Sequence, residues 1–222
     1  MDVYLERGQK KTFAVAVDWP GWARSGKDEL AALAALLEYG PRYRRAMGLR
    51  TPTFEVPASV ELLKVVDRLE GNATTDFGAP GAILPADEHM TDTTDLDRMV
   101  DLLWRAWKTF DDAADDAKGH DLLPSGPRGG GRTLAKIRNH YLEAEDGYLH
   151  ALGGRSVRAD DADEVRRAFV EAAYARARGE LPDMGPRGGR RWPAAFAIRR
   201  SAWHALDHAW EIEDRRPETS SR

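Results

Sequence analysis

The sequence predicts an α+β protein in which a small ββαβ domain is followed by an all-α four-helix bundle. Near the N-terminus, β-branched and aromatic residues alternate with others, which is typical of strands. Later in the chain, apolar residues recur at three- and four-residue spacing, which is typical of amphipathic helices. We therefore predict domains at residues 1–71 and 94–216, a linker at 72–93 and a disordered tail at 217–222.

The N-terminal domain is predicted to begin with a hairpin. Its strands are residues 3–5 and 12–18, which flank a short polar turn. Residues 27–47 carry leucines and alanines at helical spacing, and acidic residues in their first turn suit the positive end of a helix dipole. An alternating run at residues 59–69 predicts a third strand. The linker that follows contains glycines and prolines and shows no period, so we interpret it as a connector or covering loop.

Beyond the linker the pattern is helical throughout. Loops containing glycine or proline separate four amphipathic stretches, which are residues 95–117, 133–152, 161–178 and 193–214. Four helices of this length can bury their apolar faces only against one another, which predicts a bundle.

Composition limits the chemistry that is available. The 222 residues include no cysteine, which excludes disulfides and thiolate ligands, so any metal must be bound through nitrogen and oxygen. The net charge of -4 disfavours nonspecific binding to nucleic acid or to an anionic membrane surface. No apolar stretch approaches the roughly 20 residues that span a bilayer. We expect a cytoplasmic protein with neither nucleic acid nor membrane as partner.

Two histidines stand out in the last predicted helix. His204 and His208 are four residues apart, so they lie one turn apart on nearly the same face. Small residues on one flank and aromatic residues on the other indicate that this face points into the bundle. Glu211 lies on the same strip and Asp207 beside it, and we predict that they assist catalysis. Each carboxylate could be a further ligand, a general base or the acceptor that fixes an imidazole tautomer, and the sequence leaves these alternatives open.

A third ligand is needed, because histidine pairs at this spacing also occur by chance on surface helices. Among the other histidines, His140 alone lies in the middle of a helical pattern, and we therefore predict that it joins His204 and His208. Three neutral imidazoles leave at least one coordination position for water or substrate, which is typical of a catalytic rather than a structural site.

At these residues the chain resembles the DinB-like (DinB/YfiT) superfamily of metal-binding four-helix bundles. The resemblance covers about residues 95–216, and its most specific part is the stretch around the H-x-x-x-H pair. Members carry one histidine on the second helix and this pair on the last, which implies that His140, His204 and His208 bind a divalent metal such as zinc, nickel, iron or manganese. The superfamily includes transferases and isomerases that use low-molecular-weight thiols, which implies a thiol as a second cofactor.

The N-terminal part resembles the HicB-like antitoxin fold. The resemblance covers about residues 1–70 and is carried by the strand and Trp-Pro-Gly-Trp turn at 13–26, which lead into an alanine- and leucine-rich helix. It implies a domain that makes a protein contact.

Two glycine-rich loops are close copies of each other. They are Gly-Pro-Arg-Gly-Gly-Gly-Arg at residues 126–132 and Gly-Pro-Arg-Gly-Gly-Arg-Arg at 185–191, and each leads into a helix that carries proposed ligands. One interpretation is that both are flexible polar connectors. The other is that free N–H groups at the helix start bind an anion together with the four loop arginines, Arg128, Arg132, Arg187 and Arg191.

These features favour a metalloenzyme that acts on a small-molecule substrate. A divalent ion on three histidines would polarise a water, a thiol or a carbonyl, which suits a metal-dependent hydrolase or a low-molecular-weight-thiol transferase. The alternative is a non-catalytic binding or regulatory module. In that case the metal is structural and the HicB-like half mediates a protein contact or a homodimer.

Overall fold

The computed structural model describes residues 1–50, 53–89, 93–126, 129–155, 157 and 161–217. The described chain has mixed α and β structure, with a four-stranded sheet near the N-terminus and helices after it. Its described part contains six α-helices, none of which is long and apolar enough to cross a membrane. Apart from Pro217, the tail predicted at residues 217–222 lies outside the described residues.

The N-terminal sheet has the strand order β3-β2-β1-β4. Strand β1 pairs antiparallel with β2 and parallel with β4, and β2 pairs antiparallel with β3. Helix α1 (Glu29–Ala46) makes the crossover that the parallel pair requires. The strands are β1 (Asp2–Arg7), β2 (Thr12–Ala16), β3 (Ala23–Gly26) and β4 (Lys64–Glu70).

Strand β3 is an addition to the predicted ββαβ order, which becomes βββαβ. Its sequence, Ala-Arg-Ser-Gly, contains no β-branched or aromatic residue, so it carries no strand signal of its own. It is extended because its backbone pairs with β2, from Thr12 opposite Gly26 to Val15 opposite Ala23. The predicted strand at 59–69 is also shorter than expected, since residues 60–62 form a 3₁₀ turn before β4.

The stretch predicted as a linker is folded against its neighbours. It contains helix α2 (Ala73–Phe77) and a 3₁₀ turn (Pro85–His89). The buried carboxylate of Glu6 on β1 accepts hydrogen bonds from the backbone of Gly81, at 2.8 Å, and of Ala82, at 3.0 Å. A buried ion pair between Arg199 and Asp87 fixes the 3₁₀ turn to the last helix. This stretch therefore joins the sheet to the helical half through specific buried contacts.

The four long helices begin and end within two residues of the predicted positions. They are α3 (Thr93–Asp116), α4 (Leu134–Leu152), α5 (Ala162–Ala177) and α6 (Ala194–Arg215). Helix α6 packs against the other three and is buried along nearly its whole length. It also contacts the sheet, where the ring of Phe13 lies edge-on to that of Trp203 with centroids 6.1 Å apart.

Helices α4 and α6 run antiparallel. The backbone N–H of Trp192, just before α6, donates to the carbonyl of Ala151 at the end of α4. At the opposite end, Arg215 in the last turn of α6 donates to the carbonyl of Arg132, just before α4. This arrangement sets the middle of α4 beside the middle of α6, where the predicted histidines lie.

Candidate metal centre

The structure brings the three predicted histidines together. His140 on α4 faces His204 and His208 on α6, and one ligand nitrogen from each lies within 4.8 Å of the other two. The Nε2 atoms of His204 and His208 are 3.1 Å apart. The ring of His140 is 5.3 Å from that of His204 and 5.2 Å from that of His208, measured between centroids.

The donor set fits a divalent transition metal. Imidazole nitrogens bind zinc at about 2.0–2.1 Å, and ligand angles between 90° and 110° then place two nitrogens about 2.8–3.4 Å apart. The 3.1 Å separation of the two α6 nitrogens lies in this range. His140 is half-buried while His204 and His208 are buried, so solvent reaches the cluster from the side of α4.

Glu211 determines which nitrogen of His208 is free to bind an ion. Its Oε2 atom lies 2.9 Å from Nδ1 of His208, and its Oε1 atom accepts a hydrogen bond from Arg215 at 2.9 Å. Burial alone raises the pKa of Glu211, but the hydrogen bonds and charges of His208 and Arg215 lower it further, so the net pKa lies below the usual range. An ionised carboxylate can only accept, so Nδ1 of His208 carries a proton and donates it to Glu211, while Nε2 is the nitrogen that faces the cluster.

Both remaining ligands are held in the neutral form that metal binding requires. Burial lowers the pKa of His204 well below its ordinary value, and the nearby charges of His208 and Arg200 lower it further. Burial also lowers the pKa of His140, with smaller contributions from His208 and Arg132. Neutral imidazoles do not have to lose a proton before they bind an ion.

Aromatic rings surround the deeper part of the cluster. The rings of Tyr141 and Trp203 stack with that of His204 at centroid distances of 5.8 and 6.2 Å, and Tyr148 lies edge-on to it at 5.7 Å. These rings exclude water from His204, which strengthens electrostatic interactions inside the site.

The two predicted carboxylates have different surroundings. Glu211 is engaged through both oxygens, which corresponds to the acceptor role among the alternatives left by the sequence. Asp207 accepts a hydrogen bond from Arg24 of β3, at 3.2 Å. Among the described residues, the group whose ligand atoms converge contains the three histidines and not Asp207.

The first glycine-rich loop precedes α4, at the end of the helix that is nearer to the cluster. Its strands β5 (Ser125–Gly126) and β6 (Gly129–Gly130) pair as a small antiparallel hairpin. The carbonyl of Arg132 accepts from Arg215 at 2.7 Å, and the charge of Arg132 is one of the influences that lower the pKa of His204. Arg128 lies outside the described residues.

The second glycine-rich loop closes in a similar way at the opposite end of α4. Met184 pairs with Arg190, and the N–H of Gly185 donates to the carbonyl of Gly189 at 2.7 Å. Arg191 donates to the carbonyl of His150, near the C-terminal end of α4. Because the 19 residues of α4 span about 28 Å, the second-loop arginines Arg187 and Arg191 do not gather with Arg132 around one anion.

Sequence reasoning missed a buried carboxyl group on the same two helices. Glu145 of α4 is 1% exposed, and its Oε2 atom accepts from Ser201 at 2.7 Å and from the indole of Trp107 at 3.2 Å. Burial raises its pKa to about 7, against the opposing effects of Ser201 and nearby cations. Glu145 lies one turn after the buried Tyr141, and this position on the apolar face was the signal available in the sequence.

The candidate centre therefore combines three imidazoles from two helices with one carboxylate that orients an imidazole. Its parts are separated by about 70 residues in the chain and meet only in the folded protein. Comparisons of the chain with protein-family models, with curated proteins and with solved structures found no match.

Proposed function

We propose that this protein binds one divalent transition-metal ion through His140, His204 and His208, and uses it on a small-molecule substrate. The observation that carries the proposal is the convergence of three imidazoles, one of which has its tautomer set by Glu211. Three imidazoles suit zinc, iron or nickel better than manganese, which prefers oxygen ligands.

The chemistry follows from the ligand count. A divalent ion on three protein ligands retains at least one further position, where it lowers the pKa of a bound water or thiol towards neutrality. His140 is the half-buried ligand, so a small molecule would approach from its side. Both oxygens of Glu211 are occupied, which makes this residue an orienting group for His208 and not a general base.

The resemblance to the DinB-like superfamily is part of this proposal. We interpret α3, α4, α5 and α6 as the four helices of such a bundle. The second of them carries His140 and the last carries His204 and His208, which is the distribution that the resemblance implies. The resemblance also supports a low-molecular-weight thiol as the group bound at the open position, with hydrolysis by an activated water as the other version of the same chemistry.

Elemental analysis of the purified protein after loading with zinc or cobalt tests the metal site. We expect about one ion per chain, and we expect His204→Ala and His208→Ala each to lose most of it, because two imidazoles do not replace three. His150→Ala is the matched control, since His150 is also on α4 but is exposed and lies outside the cluster. Full occupancy in both α6 variants would contradict the assignment.

The spectrum of the cobalt-loaded protein also distinguishes the thiol version of the proposal from the hydrolytic version. A thiol that binds the ion produces a sulfur-to-cobalt charge-transfer band. A spectrum that responds to small anions but not to a panel of cellular thiols would reject the thiol version and retain the hydrolytic one. A spectrum that responds to no added ligand would favour a structural metal.

A further inference from the structure

Arg215 is a buried cation at the end of α6. Its side chain is 2% exposed, and its guanidinium group donates in three directions. The acceptors are Oε1 of Glu211 at 2.9 Å, the carbonyl of Leu123 at 2.8 Å and the carbonyl of Arg132 at 2.7 Å. A buried charge of this kind is tolerated only when its donors are satisfied, and these three contacts provide that.

The same contacts determine how Glu211 faces the candidate metal centre. One oxygen of Glu211 is held by Arg215 and the other lies 2.9 Å from Nδ1 of His208, so the carboxylate connects the two residues. We infer that Arg215 is a positioning residue of the metal site, which acts on the ion through Glu211 and His208. This inference rests on the proposed function.

Arg215 also attaches the first glycine-rich hairpin to the site. Two of its three acceptors, Leu123 and Arg132, are backbone carbonyls on either side of the hairpin. The hairpin approaches closely, because a Cβ atom added at Gly126 would lie 2.9 Å from Cγ of Arg215. The hairpin therefore packs directly against the side chain that holds Glu211.

A simpler role for an arginine in the last turn of a helix is to compensate the helix dipole. The next residue, Arg216, fits that role. Its side chain is 44% exposed and contacts Asp116 at 3.2 Å at the surface. Compensation of a dipole requires neither burial nor three fixed acceptors, so it does not explain the geometry of Arg215.

A double-mutant cycle tests the inference. We expect Arg215→Lys and Glu211→Gln each to weaken zinc binding by about 10- to 100-fold, as is typical when a group that orients a ligand is changed. If Arg215 acts through Glu211, the double variant should bind zinc with about the same affinity as the single variant that binds it less tightly. Zinc affinity is measured by competition with a chelator, and the cobalt ligand-field spectrum reports whether the geometry at the ion has changed. Arg216→Lys is the matched control and should leave both measurements unchanged.

A second pair of variants leaves Arg215 and Glu211 themselves unchanged. Gly126→Ala should displace Arg215 and weaken zinc binding, because its new methyl group meets the arginine side chain. Gly185→Ala is the same substitution in the other copy of the loop, where the methyl group meets Arg191 at 3.2 Å at the far end of α4, and zinc affinity should not change.

Wild-type zinc affinity in folded Arg215→Lys and Gly126→Ala would overturn the inference, as would additive losses in the double variant. In either case the wild-type protein still binds zinc, so the proposed function stands. If the wild-type protein itself binds no divalent metal, both the proposed function and this inference fail.

Discussion

Two clusters of polar side chains lie between α4 and α6, and they differ in the partner that would satisfy them. The histidine cluster consists of His140, His204 and His208. The Glu145 cluster consists of Glu145 and its two hydrogen-bond donors, Ser201 and Trp107. The histidine cluster directs ring nitrogens towards a common point, since Nε2 of His208 lies 3.1 Å from Nε2 of His204. In the Glu145 cluster, Ser201 and Trp107 both donate to Oε2 of the carboxyl group, while the buried Oε1 has no hydrogen-bond partner among the described residues. Converging ring nitrogens suit a cation, whereas a buried carboxyl group that accepts from two neutral donors is a structural element whose contribution to stability depends on pH.

The largest expected effect is the gain in folding stability on zinc binding, which should require the histidine cluster and not the Glu145 cluster. Free zinc at about 1,000 times its dissociation constant should stabilise the folded protein by about 4 kcal/mol relative to the chelator-treated protein. Glu145→Gln should retain this increment and His208→Ala should lose it, because only the second substitution removes a ligand. Chemical unfolding with zinc or with chelator measures the difference. Equal increments in both variants would remove the distinction between the clusters.

The next effect concerns the pH dependence of the Glu145 cluster. The pKa of Glu145 is raised from an ordinary 4.5 to about 7 by burial, so the folded state favours the protonated acid. The contribution of protonated Glu145 to the free energy of unfolding is fully present below about pH 4.5 and is lost as the pH rises through 7.

Glu145→Gln should therefore gain about 2 to 3 kcal/mol relative to wild type between pH 5 and pH 8. Every other titratable group is the same in the two proteins, so the difference between the two unfolding free energies isolates Glu145. Curves of unfolding free energy against pH that run parallel for the two proteins would contradict the raised pKa.

The smallest effect tests whether the two clusters are independent. Ser201→Ala removes one donor to Glu145 and should reduce stability by about 1 kcal/mol, the usual net value of a hydrogen bond. Ser201 lies three residues before His204 on α6, yet we expect zinc affinity to change less than twofold. A larger loss of zinc affinity, measured by chelator competition, would show that the clusters act as one network.

The sequence predicted the long helices well because their signals are local. Apolar periodicity and glycine or proline at the ends are properties of consecutive residues, and all four helices begin and end close to the expected positions. Strand β3 was missed because its four residues have no strand propensity, and its conformation comes from pairing with β2. The contacts that hold residues 73–89 to Glu6 and Arg199 also join distant parts of the chain, and a lack of periodicity did not reveal them.

The candidate site also combines features set by local sequence with features set by contacts between distant residues. By itself the sequence determined that His204 and His208 share one face of a helix, because four residues complete about one helical turn. The spacing that lets Glu211 contact both His208 and Arg215 is local as well, because the three residues are three and four positions apart on α6. Only the tertiary structure decided that His140 meets the α6 pair, that Arg215 also holds the carbonyls on either side of the first glycine-rich hairpin, and that the two loops lie at opposite ends of α4. Those outcomes depend on the antiparallel packing of α4 and α6, which joins residues far apart in the chain and is not encoded in the spacing of neighbouring residues.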